Sequence, residues 1–144
     1  MKRFALAAAV SLLLLGFSTN AQNNGASSDQ SSAVSSTVRN YIEGYYTGDA
    51  PRMERTLHPH YLKHIIHGDI PMRKKTGSQM LEAVRSEGTA GFPQAERTEQ
   101  ISVLDVSGNI ASAKLVTPNW VDYITLSKLN GEWKILSVVQ RIDN

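Results

Sequence analysis

The chain has 144 residues, no cysteine and a formal net charge of +2, from 15 lysines and arginines against 13 acidic residues. The lack of cysteine excludes disulfides, thiolate catalysis, cysteine-ligated metals and a lipid anchor built on that residue. The length suits one domain with its own core and not two.

Part of the positive charge belongs to the first residues. Lys2 and Arg3 precede an apolar run from Phe4 to Phe17, roughly 14 residues and shorter than the ~20 needed to cross a bilayer. Thr19-Asn20-Ala21 then sets small residues where a signal peptidase requires them. This predicts a signal peptide over residues 1–21, cleaved after Ala21, and an exported protein, periplasmic or secreted. Its removal takes two basic residues and no acidic one, leaving a neutral chain without a membrane anchor. A neutral domain has no electrostatic case for nucleic acid or an anionic membrane as a partner.

Residues 22–31 are rich in Asn, Gly, Ser and Gln and predict a disordered tether before a domain over 32–144. Val34, Val38, Ile42 and Tyr45 recur at helical spacing ahead of Gly48, which predicts an amphipathic first helix. Asp49 suits the cap of a second short helix with Pro51 in its first turn, Met53 and Leu57 facing inward, and an end at His58-Pro59. Tyr61 to Ile66 reads equally as strand or helix, and Arg73-Lys74-Lys75 as a solvated loop. Thr76-Gly77-Ser78-Gln79 matches a capping box, so Met80, Leu81 and Val84 form the inner face of a third helix ending at Gly88, with a loop from there to Gln94.

After the loop the apolar period changes to two. Strands are predicted over about Arg97–Val106, Ile110–Val116, Trp120–Leu129 and Glu132–Ile142, with turns at Ser107-Gly108-Asn109, Thr117-Pro118-Asn119 and Asn130-Gly131. Helices first and an antiparallel sheet after them give an α+β domain with the helices gathered on one face.

Asn130-Gly131 suits a two-residue turn with positive φ at both positions, which pairs Leu129 with Glu132. Counting outward puts Trp120, Asp122, Ile124 and Leu126 on the apolar face against Arg141, Val139, Ser137 and Ile135. Asp122 is the exception on that face, and a carboxylate among Trp and Ile is costly unless paired, hydrogen-bonded or protonated. Two accounts fit. Arg141, diagonally across the hairpin, neutralises Asp122 as a structural pair, or Asp122 lines a pocket as a base or a ligand acceptor; the sequence favours the pair.

Four histidines fall within ten positions, His58, His60, His64 and His67, without a metal-binding signature, so no metal site is expected. One or two imidazoles suit a pocket rim. Tyr41 and Tyr45 are four apart on the first helix, and Tyr45 is the better pocket candidate. No phosphate loop, nucleophile elbow or dinucleotide fingerprint is present, and no cofactor is expected.

Val38-Arg39-Asn40-Tyr41-Ile42-Glu43-Gly44, Gly48-Asp49, Leu57-His58-Pro59-His60, the strand Trp120 to Leu126 and Asn130-Gly131-Glu132-Trp133-Lys134-Ile135 together resemble the putative lumazine-binding family. That family lies within the nuclear transport factor 2-like superfamily, which also holds steroid isomerases and polyketide cyclases. The resemblance implies a cone, with three helices packed into the concave face of a strongly curved antiparallel sheet and a cavity open at one end. It places Asp122 at the family's own Asp position and His60 near the end of the second-helix motif. The expected function is binding of a small molecule by Tyr45, His60, Trp120 and Asp122. The alternatives are a proton-transfer enzyme with Asp122 as the catalytic base, and a homodimer formed through the outer sheet face, where Val121 and Tyr123 project.

Overall fold

The computed structural model describes residues 20–87 and 92–143, with side chains from residue 27 onward. The expected signal segment up to residue 19, and the expected helix stop at Gly88 with the loop to Gly91, lie outside the described residues. Helix α1 (Asn20–Thr47) is followed by α2 (Ala50–Glu54), β1 (Leu57–His67), β2 (Ile70–Thr76), α3 (Gly77–Glu87), β3 (Gln100–Ser107), β4 (Ile110–Val116), β5 (Trp120–Leu129) and β6 (Glu132–Ile142). The six strands form one curved, unclosed sheet in the order β2-β1-β6-β5-β4-β3. Every pairing is antiparallel except β1 with β6, so the sheet is mixed and not wholly antiparallel as expected.

Helix α1 buries Val34, Val38, Tyr41 and Ile42, the stripe that its helical spacing calls for. It covers the segment expected to be a tether. Gln30, inside that segment, accepts a hydrogen bond from the Trp133 indole at 3.3 Å, which fixes a helical turn that composition alone would leave loose. Gly44 lets α2 approach α1 closely: a Cβ there would meet the Met53 amide nitrogen at 3.1 Å. Asp49 caps α2 as expected, accepting from the Arg52 amide at 2.9 Å. The helix ends at Glu54, however, and Leu57-His58-Pro59-His60 opens β1 instead of closing a helix. Pro59 is tolerated because it lies between Leu57 and Leu62, where the ladder to β6 is irregular and a missing N–H breaks no pair.

Tyr61, Lys63 and Ile65 point inward along β1. Arg73-Lys74-Lys75, expected as a loop, forms edge strand β2. Charged residues, lysine above all, are the usual protection of an exposed edge. The capping box is formed: the Thr76 amide donates to Gln79 Oε1 at 2.9 Å, and the Gln79 amide to Thr76 Oγ1 at 3.4 Å. Strand β3 starts at Gln100, after a 3-10 turn over Gln94–Glu96, and not at Arg97. The other three strands keep their expected bounds.

Both turn residues of the last hairpin have positive φ, 52° at Asn130 and 82° at Gly131, and Leu129 pairs with Glu132. The pairing then slips. Leu126 faces Ile135 but Thr125 faces Ser137, so Leu136 is an extra residue in β6. Beyond this bulge every β6 side chain changes face. Val138 and Gln140 point inward beside Ile124 and Asp122, whereas Val139 and Arg141 point out, the reverse of the expected assignment.

Gly131→Ala forces a side chain into left-handed backbone, so its unfolding free energy in urea should fall by roughly 1–2 kcal/mol. Asn130→Gly, which relieves the same restriction, should change it little. Equal losses at both positions would show that side-chain contacts and not backbone handedness hold this turn.

Candidate functional site

The inner face of the sheet and α1 enclose a cavity of about 240 Å³. Ile42, Tyr45, Ile65, Phe92, Trp120 and Ile142 supply its apolar wall; Tyr41, Lys63, Lys75, Asn119, Asp122 and Gln140 supply its polar groups. Trp120 is set by the turn before β5, where its amide donates to Thr117 Oγ1 at 3.0 Å and its carbonyl accepts from the Thr117 amide at 3.0 Å. Tyr45 meets the Trp120 ring edge-on at 5.9 Å, and Phe92 lies 5.4 Å from the same ring. These three rings build one wall of the cavity from three separate stretches of chain.

Asp122 is fully buried, with Lys63, Gln140 and the Trp120 side chain around its carboxyl, and none of them closes to a hydrogen bond of normal geometry. Its neighbour is Lys63, buried on β1, whose Nζ stops 3.6 Å from Oδ2. A charge-assisted pair normally closes to about 2.7–2.9 Å. Lys63 donates instead to the Tyr41 hydroxyl at 3.2 Å, which in turn lies 3.1 Å from the Tyr61 hydroxyl. The result is a buried polar row from Asp122 through Lys63 and Tyr41 to Tyr61, with Gln140 beside its carboxyl end.

Burial shifts the titration of every group in this row. It pushes the Asp122 carboxyl above its ordinary value, against the opposing pull of Lys63 and of the Gln140 and Trp120 side chains. It also pushes the Lys63 amine below its ordinary value; the charge of Asp122 opposes this shift and that of Lys75 adds to it. Both partners are thus driven toward their neutral forms, because two charges taken from water recover the loss only with close, saturated contacts. Burial raises Tyr41 and Tyr61 as well, and takes Tyr45 to about 12 with help from the Glu87 carboxylate. All three are neutral hydrogen-bonding groups near neutral pH.

Three of the four residues expected to bind a ligand, Tyr45, Trp120 and Asp122, meet at the cavity. His60 does not. It is exposed and outside the lining, because alternation along β1 turns Tyr61, Lys63 and Ile65 inward. Arg141 is not the partner of Asp122 either. The β6 bulge turns it outward, where it bonds Asp143 at 2.7 Å. Lys63 escaped notice in the sequence, although a lysine between Tyr61 and Ile65 at strand spacing is the same signal that marked Asp122. On the outer face Tyr123 is exposed as expected, while Val121 is buried. Among the described residues no group of three or more His, Cys, Asp or Glu is placed to hold a metal, and no helix is long and apolar enough to cross a membrane.

The raised carboxyl has a measurable sign. Above 3.8, the ordinary value, an unfolded Asp122 releases its proton while the buried one keeps it, so the folded state binds more protons and stability falls with rising pH. The loss continues until pH passes the folded value. The unfolding free energy of the wild type, taken relative to Asp122→Asn, should therefore decline as pH rises above about 4. A flat difference would mean that Asp122 is ionised in the fold.

Solved structures share this architecture. A nuclear transport factor 2-like protein of unknown function from Silicibacter pomeroyi is 20% identical, with a TM-score of 0.67 over 81% of this chain and 98% of that one. A ketosteroid isomerase-like protein from Erwinia carotovora is 14% identical, with a TM-score of 0.61 over 81% and 98%. A protein described as a putative dehydratase of the same superfamily, from Streptomyces avermitilis, is 14% identical, with a TM-score of 0.54 over 81% and 98%. No curated protein matches the chain. Residues 29–140, most of the chain and all of the cavity lining except Ile142, match the family model described as putative lumazine-binding, and the chain belongs to that family, on the nuclear transport factor 2-like fold.

Proposed function

We propose that this chain is an exported small-molecule-binding domain whose ligand occupies the cavity between α1 and the curved sheet. The observation that carries the reading is Asp122, a fully buried carboxyl at the cavity wall whose neighbours Lys63, Gln140 and Trp120 leave both oxygens without a hydrogen bond of normal geometry. Buried polar groups are nearly always satisfied, and an orphaned one facing a cavity is what a ligand's donor completes. The aromatic wall of Tyr45, Phe92 and Trp120 suits a flat apolar body, and Asp122, Gln140 and Asn119 suit donors and acceptors on its edge. The description of the family as lumazine-binding is consistent with such a ligand, a flat heteroaromatic ring system bearing N–H donors. Proton transfer with Asp122 as base is the weaker reading, since a base must ionise and burial opposes that.

Native mass spectrometry of protein purified from the exported fraction, without denaturant, should show a retained small molecule. Ligand binding should quench Trp120, a response that Trp120→Phe removes while leaving Trp133 as the reference. Ile142→Trp, which fills the cavity from β6, should weaken binding at least about tenfold, a change of ~1.4 kcal/mol, with an unfolding transition still cooperative. Undiminished binding to this filled variant would place the ligand elsewhere and overturn the proposal.

A further inference from the structure

The cavity holds a second unusual group, Lys63, and its surroundings go beyond what retention of a ligand requires. Its amine is almost wholly buried yet borders the cavity, and its one carboxylate contact, with Asp122, is a long ion pair at 3.6 Å. From β1 it faces Asp122 on β5 at 3.6 Å and the Tyr41 hydroxyl on α1 at 3.2 Å. Lys75, its register partner on β2, also lines the cavity, so a second cation lies on the same side. Apolar burial and a neighbouring cation are the two conditions that turn a lysine from an ammonium ion into a nucleophilic amine.

We propose that Lys63 is a carbonyl-reactive amine: inside the cavity, between Asp122 and Tyr41, its Nζ condenses with the aldehyde or ketone group of a small, largely apolar molecule to form an imine. The nitrogen lone pair forms a bond to the carbonyl carbon, the nitrogen gives up one proton and the carbonyl oxygen takes one up, which makes a carbinolamine. Its hydroxyl takes up a second proton and leaves as water while the nitrogen lone pair closes the carbon–nitrogen double bond, and the nitrogen then gives up its second proton. One carbonyl and one amine yield one imine and one water, with no oxidant or reductant. Asp122 faces the nitrogen as a carboxyl able to give and recover the proton, while the Tyr41 hydroxyl orients the amine. The inference rests on the reading of the cavity as a ligand site and adds the chemical class of the ligand.

The test uses benzaldehyde as the reactive probe, sodium borohydride to fix the imine as a stable secondary amine, and peptide mapping to locate it. Benzyl alcohol, which fills the same space without a carbonyl, reports on non-covalent occupancy through Trp120 fluorescence and thermal shift. In the wild type near neutral pH, Lys63 should be labelled at least about tenfold faster than exposed Lys74 of the same molecule, and benzyl alcohol should slow only the Lys63 reaction. Because both lysines are read in one folded sample, the comparison survives if Lys63→Arg proves unstable; where that variant folds, no remaining lysine, Lys75 included, should show the fast labelling that benzyl alcohol slows. Lys63 labelled no faster than Lys74, with benzyl alcohol bound, would overturn the reactive amine and leave the binding site standing. Lys63 unlabelled and benzyl alcohol unbound would overturn the amine and count against the cavity as a ligand site.

Discussion

Two ionisable groups of opposite sign face each other inside an apolar cone, and neither completes the other. Asp122 and Lys63 are 3.6 Å apart in a region where full charge on both would require close contacts and saturated hydrogen bonds. Asp122 has no such bonds, and Lys63 gives its bond to a tyrosine. Burial pushes the carboxyl up and the amine down, so each is drawn toward its neutral form. The cost of burying them is set against the rest of the interior: Val34, Val38, Ile42, Met53, Leu115, Ile124, Leu126 and Ile135 are all at most a few per cent exposed. A single-core domain of this size can carry one such pair because the rest of its interior is apolar and buried.

The bulge at Leu136 decides what kind of pair this is. A regular hairpin, counted from Asn130-Gly131, would place Val139 opposite Asp122 and carry Arg141 inward on the diagonal. A guanidinium there would be always charged, would hold the carboxyl ionised by two parallel bonds, and would make an inert structural bridge. One extra residue sends Arg141 to solvent and brings Gln140, a neutral amide, beside the carboxyl. The parallel seat of β1 on β6 then supplies Lys63, next to Val138 and therefore on the same inner face. Backbone register, more than the identity of any single side chain, selects lysine over arginine as the neighbour of Asp122.

That dependence also explains which parts of the structure were legible in the sequence. Strands β4, β5 and β6 end at Gly, Pro and Asn turns whose backbone geometry is local, so their bounds were readable. Asp122, Tyr45 and Trp120 were readable too, since a lone carboxylate on an apolar face and aromatics on an apolar stripe are patterns within one element. The bulge carries no local signature: Leu136 and Ser137 fit either face. The partner of Asp122 was therefore misassigned. His60 was misplaced for a related reason, because the segment Leu57 to His60 has too few apolar residues to distinguish a helix end from a strand start. Strand β2 was hidden by Arg73-Lys74-Lys75, whose charges mark a solvated loop and a protected edge equally well.

Edge protection and cavity chemistry meet at Lys75. A lysine on an unpaired edge discourages addition of another strand, and that alone accounts for charge on β2. Lys75, however, pairs with Lys63 across the β1–β2 ladder, so the two side chains share the concave face, and the protecting cation also acts on the buried amine. Arg73 and Lys74 satisfy the edge and lie outside the cavity. Replacing Lys75 by a neutral residue would leave two cations guarding the edge, yet it would remove the one charge on the β2 side of the cavity that favours a neutral Lys63. The edge strand thus carries a share of the electrostatics of the cavity, and its contribution to the site comes from one lysine of three.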